Sequence, residues 1–182
     1  MEKILIFGLL SIPIIGLSWR TLFDLKSHGF YRFFAWECIL WLFASSYRQW
    51  FTDPFSVKQI FSWVFLCISI YMVVSGVLLL KKAGKPTGDR DDKNLYEFEK
   101  TSELVDTGIF RYIRHPLYSS LIFLAWGIFL KNPGIELFLI SVIATILLFL
   151  TALSDEKECI IVFGDRYRDY MRRSKRFIPY II

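Results

Sequence analysis

The stretch PLYSSLIFLAWGIFLKNPGIELFLISVIATILLFL, residues 116–150, decides the fold. It holds one apolar run, about 116–131, and most of a second, about 134–153, joined at KNPG. Crossing a hydrocarbon core of about 30 Å as a helix takes roughly 18–20 apolar residues. Lipid admits little besides helices and closed barrels, because backbone polar groups find no water there. Asn, Pro and Gly together mark a tight turn. Two apolar runs linked so closely predict an antiparallel helical hairpin.

Working outward, three further apolar runs cover about 3–19, about 31–51 and about 59–80. The chain of 182 residues is 54% hydrophobic and 18% aromatic, above the roughly 45–50% apolar content of soluble domains. The expected fold is therefore an all-α integral membrane protein with about five transmembrane helices. Residues 1–80 carry three of them, and residues 81–182 carry a long polar loop, the hairpin and a polar tail. There is no internal repeat and no sign of a second domain. Lys3 precedes the first run as in a signal peptide, but no small-x-small cleavage site follows, so the run reads as a mature span. Cys38, Cys67 and Cys159 are scattered without CxxC spacing, which indicates neither a zinc site nor a disulfide framework.

Charge sets the orientation. With the N-terminus outside, 18 of the 22 lysines and arginines fall on the inner side, and only Lys3, Arg48, Lys58 and Lys131 lie outside. The positive-inside rule then predicts an outer N-terminus and a cytoplasmic C-terminus. The net charge of +5 follows from basic inner loops facing anionic lipid and calls for no nucleic-acid partner. The loop at 81–115 and the tail from residue 154 share the inner face, the one place with enough polar chain to build a water-soluble ligand site. The tail has helical spacing, with Ile161, Val162, Tyr167, Tyr170 and Met171 offering apolar contacts between charges. That predicts a helix lying on the membrane or over the bundle.

The mouth of the hairpin reads RYIRHPLYSS, residues 111–120. Pro116 suits the first turn of a helix, where its missing N–H costs nothing. A helix N-terminus flanked by Arg114 and His115 is a prepared anion site. On residues alone, Arg111 and Arg114 equally satisfy the positive-inside rule, and Tyr118 equally suits an interfacial aromatic belt. Asp155 and Glu156 stand at the inner end of the fifth span, able to bind hydroxyls or a cation, or to pair with Arg111, Arg114 or Lys157. The hairpin sets these carboxylates beside His115, about one small molecule apart.

LVDTGIFRYIRHPLY, residues 104–118, followed by DEKECIIVFGDRYRDYMRRSKRFIP, residues 155–179, resembles the integral membrane methyltransferase superfamily of isoprenylcysteine carboxyl methyltransferases and phospholipid methyltransferases. The resemblance covers roughly residues 102–179. It implies S-adenosylmethionine as methyl donor, S-adenosylhomocysteine as product, a lipophilic acceptor from the membrane, and a C-terminal helix capping the cofactor pocket. By match to the motif, the cofactor contacts are Leu104, Val105, Phe110, Arg114, His115, Pro116, Leu117, Tyr118, Asp155 and Glu156. The donor's carboxylate suits His115 and the helix N-terminus, its amino group or ribose suits Asp155 and Glu156, and aromatic faces at Phe110 and Tyr118 suit its sulfonium. His115, Tyr118 and Glu156 are the candidate proton acceptors. Two departures stand out: the family's Glu-Glu pair is Asp155-Glu156 here, and Thr151 stands where carboxylate-methylating relatives carry an arginine. A carboxylate acceptor held in that way is disfavoured. The acceptor classes left are a phospholipid amine, a lipophilic thiol, or a carboxylate or hydroxyl bound otherwise.

Glu37, in FAWECILW of the second span, is a carboxylate inside the expected hydrocarbon, and such charges are costly. It is expected either to line the acceptor's path or to be satisfied by Arg32, Ser45 or a neighbouring helix. No metal is implied, since the sulfonium is already an activated leaving group. Two rival readings are a membrane reductase of the sterol-reductase type using NADPH and a non-catalytic lipid-binding protein. The first normally needs a longer chain, and the second would be marked by loss of His115 or the acidic pair.

Overall fold

A computed structural model describes residues 1–19, 21–23, 27–84 and 101–181. Arg20, Lys26 and the part of the basic loop at 85–100, which entered the orientation reading, lie outside the described residues. Among the described residues there are six α-helices and no strand: α1 (Glu2–Ser18), α2 (His28–Ser46), α3 (Val57–Ala83), α4 (Pro116–Phe129), α5 (Ile135–Phe163) and α6 (Asp165–Arg173). Short 3-10 turns lie at Thr21–Phe23, Tyr47–Gln49 and Gly108–Arg111.

Two of the helices, α3 and α5, are long and apolar enough to cross a membrane, and α4 is a shorter apolar helix. Leu, Ile, Val and Phe crowd the exterior, as with Leu5, Leu9 and Ile12 on α1, Ile60, Phe61 and Val74 on α3, and Leu139, Ile143 and Ile146 on α5. Small or polar side chains fill much of the interior, including Ala35, Ala44, Ser62, Ser69, Ala125, Ser141 and Ala144. An apolar exterior over a small-residue interior is what helices adopt when their solvent is lipid, where close backbone approach drives packing. The α3–α4 crossing shows it directly. Ser62 Oγ donates to the Gly127 carbonyl at 2.7 Å, and a Cβ on Gly127 would stand 3.0 Å from Leu66.

The hairpin is α4 and α5, joined by residues 130–134 and tied by Trp126 Nε1 donating to Thr145 Oγ1 at 3.1 Å. Each arm nevertheless packs most heavily on another helix, α4 on α3 and α5 on α2. The second helix starts earlier than expected because Ser27 caps it, accepting from the Gly29 N–H at 3.1 Å. It also ends earlier, at Ser46, in the turn Tyr47–Gln49.

The fifth helix differs most from expectation. It does not stop near residue 153 but runs on to Phe163, 29 residues in all, because nothing from Ser154 to Phe163 breaks a helix. Gly164 ends it with φ 58° and ψ −134°, a conformation that side chains with a Cβ disfavour. The tail is thus split into the last turns of α5 and a separate α6. Tyr167 and Tyr170 of α6 are buried, whereas Ile161 and Val162, expected to make apolar contacts, stay exposed.

Candidate functional site

Three segments converge at the mouth of α4. The 3-10 turn Gly108–Arg111 brings the chain up to His115, the N-cap residue of α4, with Pro116 in the first turn and no side chain capping it. An α-helix leaves its first N–H groups without intrahelical partners. Here those belong to Leu117 and Tyr118, since proline has none. The tail then runs alongside: Ile113 and Lys175 form a parallel bridge. The Arg114 N–H donates to the Lys175 carbonyl at 2.7 Å and the His115 N–H to the Arg176 carbonyl at 3.2 Å. Ser119 Oγ donates to the Phe177 carbonyl at 2.9 Å, closing the seam.

From α5, Asp155 and Glu156 meet this seam. His115 Nδ1 lies 3.4 Å from Asp155 Oδ2, and its Nε2 lies 3.4 Å from Glu156 Oε1. Tyr118 stacks on the imidazole with centroids 5.3 Å apart and donates its hydroxyl to Asp155 Oδ2 at 3.2 Å. Burial disfavours the charged form of His115, but the hydrogen bonds and charges of Asp155 and Glu156 outweigh it. They hold the imidazole pKa above its ordinary 6.5. The two carboxylates therefore favour the protonated form of the imidazole at the start of α4.

The acidic pair divides its work. Glu156 is almost wholly buried and saturated: Arg114 Nε approaches at 3.0 Å, and Arg176 reaches it with Nε at 3.0 Å and a second guanidinium nitrogen at 2.9 Å. Arg114 also donates to the carbonyls of Met171 and Ser174. Glu156 thus fastens the tail to α4 and α5. Asp155 faces a cavity holding about 700 Å³ of space, open mouth included.

Leu104, Val105, Phe110, Arg114, His115, Pro116, Leu117, Tyr118 and Asp155 all line this cavity. Glu156 stands behind its wall. Glu37 is elsewhere, joining α2 to α1 by accepting from Ser11 Oγ at 2.6 Å. That is the expected hydrogen bond to a neighbouring helix, and Ser45, whose Oγ meets no partner among the described residues, does not supply it. The far wall consists of Tyr167 and Tyr170 from α6 with Cys159 and Phe163 from the extension of α5. Sequence reasoning missed Cys159 and Phe163 because they depend on α5 continuing past the acidic pair, and the only signal was the lack of a breaker before Gly164. A second, apolar groove of about 880 Å³ opens between α3, α4, α5 and Ile178. Its two hydroxyls are engaged with backbone: Ser119 as above, and Thr145 donating to the Ser141 carbonyl at 2.8 Å. Phe177 separates the two spaces, with its ring 6.2 Å from His115 and 6.0 Å from Phe149.

The chemistry of the cavity fits S-adenosylmethionine. The backbone N–H groups at the start of α4 and the His115 imidazole suit its carboxylate, the Asp155 carboxylate suits its ammonium or hydroxyls, and the aromatic and aliphatic walls suit its base. Fold and site together define a membrane-helix protein with an amphoteric small-molecule cavity at its polar end. The chain belongs to the phospholipid methyltransferase family, whose profile matches residues 57–164. It is also similar to methanethiol S-methyltransferase 1 of Bradyrhizobium diazoefficiens, with 32% identity over 72 residues, 40% of this chain. That stretch spans 25% of the relative's length. No solved structure matches the chain.

Proposed function

We propose that this protein transfers a methyl group from S-adenosylmethionine to a lipophilic acceptor drawn from the membrane. The observation that carries the reading is the pairing of an uncapped α4 N-terminus and His115 with Asp155 across one cavity. When bound, S-adenosylmethionine supplies an electrophilic methyl carbon on a sulfonium. His115 and the N–H groups of Leu117 and Tyr118 hold the anionic end, Asp155 orients the polar end, and Tyr118 and Phe110 offer aromatic faces to positive charge. Tyr167, Tyr170 and Phe163 exclude water from the wall opposite. In-line displacement then needs mainly alignment, which these residues supply by fixing one partner.

The apolar groove beside Phe177 suits the hydrocarbon part of the acceptor, because none of its polar atoms lacks an internal partner. The name of the Bradyrhizobium relative, a methanethiol S-methyltransferase, favours sulfur as the accepting atom. Five crossings by α1 to α5, with the N-terminus outside and α6 covering the cavity from the cytoplasm, complete the reading. Calorimetric titration of the purified chain with S-adenosylmethionine and with NADPH tests it. Binding of the first alone is expected, followed by labelled-methyl incorporation into a lipid-extractable product. Binding of NADPH instead points to the reductase class, and binding of neither to a non-catalytic protein.

A further inference from the structure

The chain has two histidines. His115 belongs to the cavity, whereas His28 opens α2, outside the stretch that matches the family. The His28 ring is fully enclosed. Its Nδ1 lies 2.7 Å from Glu158 Oε2, and its backbone N–H points to Glu158 Oε1 at 3.4 Å. A carboxylate this close accepts the Nδ1 hydrogen, which fixes the tautomer and leaves a lone pair on Nε2 of the neutral ring. Nε2 is buried and meets no hydrogen-bond partner among the described residues. Buried polar atoms are rarely left so without a reason.

A ring nitrogen of His28, the Asp155 carboxylate and the Glu158 carboxylate lie within 4.8 Å of one another. Asp155 lines the cofactor cavity, and the Glu158 side chain is 25% exposed. Acid, imidazole and acid therefore stand in series from the cavity wall to water: His28 and Glu158 are in hydrogen-bond contact, and Asp155 stands within 4.8 Å of a ring nitrogen, a gap one bridging water spans. The 2.7 Å contact is hydrogen-bond spacing, whereas two ligands of one tetrahedral zinc ion stand about 3.3 Å apart. The arrangement fits a proton path better than a metal centre.

We propose that Asp155, His28 and Glu158 form a proton exit that carries the hydrogen of a thiol acceptor from the cofactor cavity to water. The proposal rests on the methyl-transfer reading and deepens it. As the acceptor sulfur bonds to the methyl carbon, the carbon–sulfonium bond breaks and its electron pair stays on the departing thioether. The thiol hydrogen passes as a proton to Asp155, crosses the gap to Nε2 of His28 through a bridging water, and the Nδ1 hydrogen leaves by way of Glu158. Among the described residues, the charged groups facing His28 are Glu158 and Asp155 from α5 and Arg32 from its own helix, with His115 beyond Asp155. The Glu158 carboxylate, hydrogen-bonded at Nδ1, makes the opposite ring nitrogen a better proton acceptor than that of free imidazole. An acceptor that arrives already ionised has less use for the exit.

The test uses the full chain in lipid nanodiscs with labelled S-adenosylmethionine and two probes. Dodecanethiol is protonated at neutral pH, and para-nitrothiophenol is already a thiolate. His28→Asn is expected to lose on the order of 10²-fold in dodecanethiol turnover, a loss at least about tenfold greater than with para-nitrothiophenol. Glu158→Gln keeps the side-chain shape and stands in if His28→Asn does not fold; the same selectivity is expected in smaller measure. Equal losses with both probes overturn the proposal while leaving methyl transfer standing. Methylation of neither probe, with donor binding seen by calorimetry, overturns the thiol class. Absence of donor binding defeats the methyl-transfer reading and the proposal with it. A readout independent of turnover is magnetic resonance of isotope-labelled histidine, where two signals are assigned by His28→Asn. His28 is expected to show a hydrogen on Nδ1 and a bare Nε2 when neutral, and to shift in Asp155→Asn. A neutral ring with its hydrogen on Nε2 would sink the exit.

Discussion

Asp155 and Glu156 are adjacent in sequence, yet their carboxylates answer to different neighbours. Glu156 is enclosed by Arg114, His115 and Arg176, so removing it leaves buried guanidinium groups without a counter-charge. Glu156→Ala is expected to cost about 3 kcal/mol or more of stability, read as a fall in the unfolding midpoint in detergent, with donor affinity lost only through the loosened tail. His115 grips an anion while protonated, and its pKa is raised. Its contribution to stability is complete below the ordinary imidazole value and is lost as pH rises through the raised one. Donor affinity is expected to follow the same course, holding through pH 6.5 and falling above the raised value. His115→Ala is expected to weaken donor binding by about 1.5–3 kcal/mol and to abolish that pH step in calorimetry. RHP and the acidic pair were legible in the sequence because charges at an apolar boundary are conspicuous. The saturation of Glu156 was not, since it depends on the register of residues 112–115 against 174–176, and an isolated histidine at position 28 carries no pattern at all.

At the level of elements, the hairpin was readable from KNPG and the apolar runs, while the true length of α5 was hidden by the drop in hydropathy at Ser154. Hydropathy reports where lipid ends, whereas backbone continuity depends on breakers, and α5 meets none before Gly164. That glycine redirects the chain so that Tyr167 and Tyr170 return to the cavity. The Tyr170 hydroxyl donates to the Phe110 carbonyl, which fixes α6 to the turn before α4. Open space surrounds the position where a Cβ would sit on Gly164, so the penalty of a side chain is backbone strain alone. Gly164→Ala is expected to cost about 1–3 kcal/mol, seen in thermal unfolding, and to weaken donor binding as α6 shifts. An unchanged unfolding midpoint would mean that the link tolerates another conformation and that α6 is held by its tyrosines alone.

Taken whole, the molecule is greasy outside and polar at one end, and the positive-inside rule makes that end the one expected to face the cytoplasm. The α6 side carries Arg166, Arg168, Arg172, Arg173, Lys175 and Arg176, whereas the opposite end near the α2–α3 connection has Arg48, Lys58 and Lys131. Two of these are drawn inward or paired: Lys131 is buried against Trp63 with its Nζ 3.3 Å from the ring centroid and donates to Gln59 at 2.8 Å, and Arg48 pairs with Glu2. That end therefore offers a membrane surface even less free positive charge than its residue count suggests, and by the positive-inside rule the α6 end is the one expected inside. Labelling in intact cells checks the orientation. In a chain with its native cysteines replaced by serine, Phe55→Cys at the exposed α2–α3 connection is expected to react with a membrane-impermeant maleimide. Arg172→Cys, on the exposed face of α6, is expected to react only after the membrane is opened. A water-soluble methyl donor made in the cytoplasm has access to the cavity only in this orientation, so the reverse labelling pattern would remove the proposed route to the site even with every side chain in place.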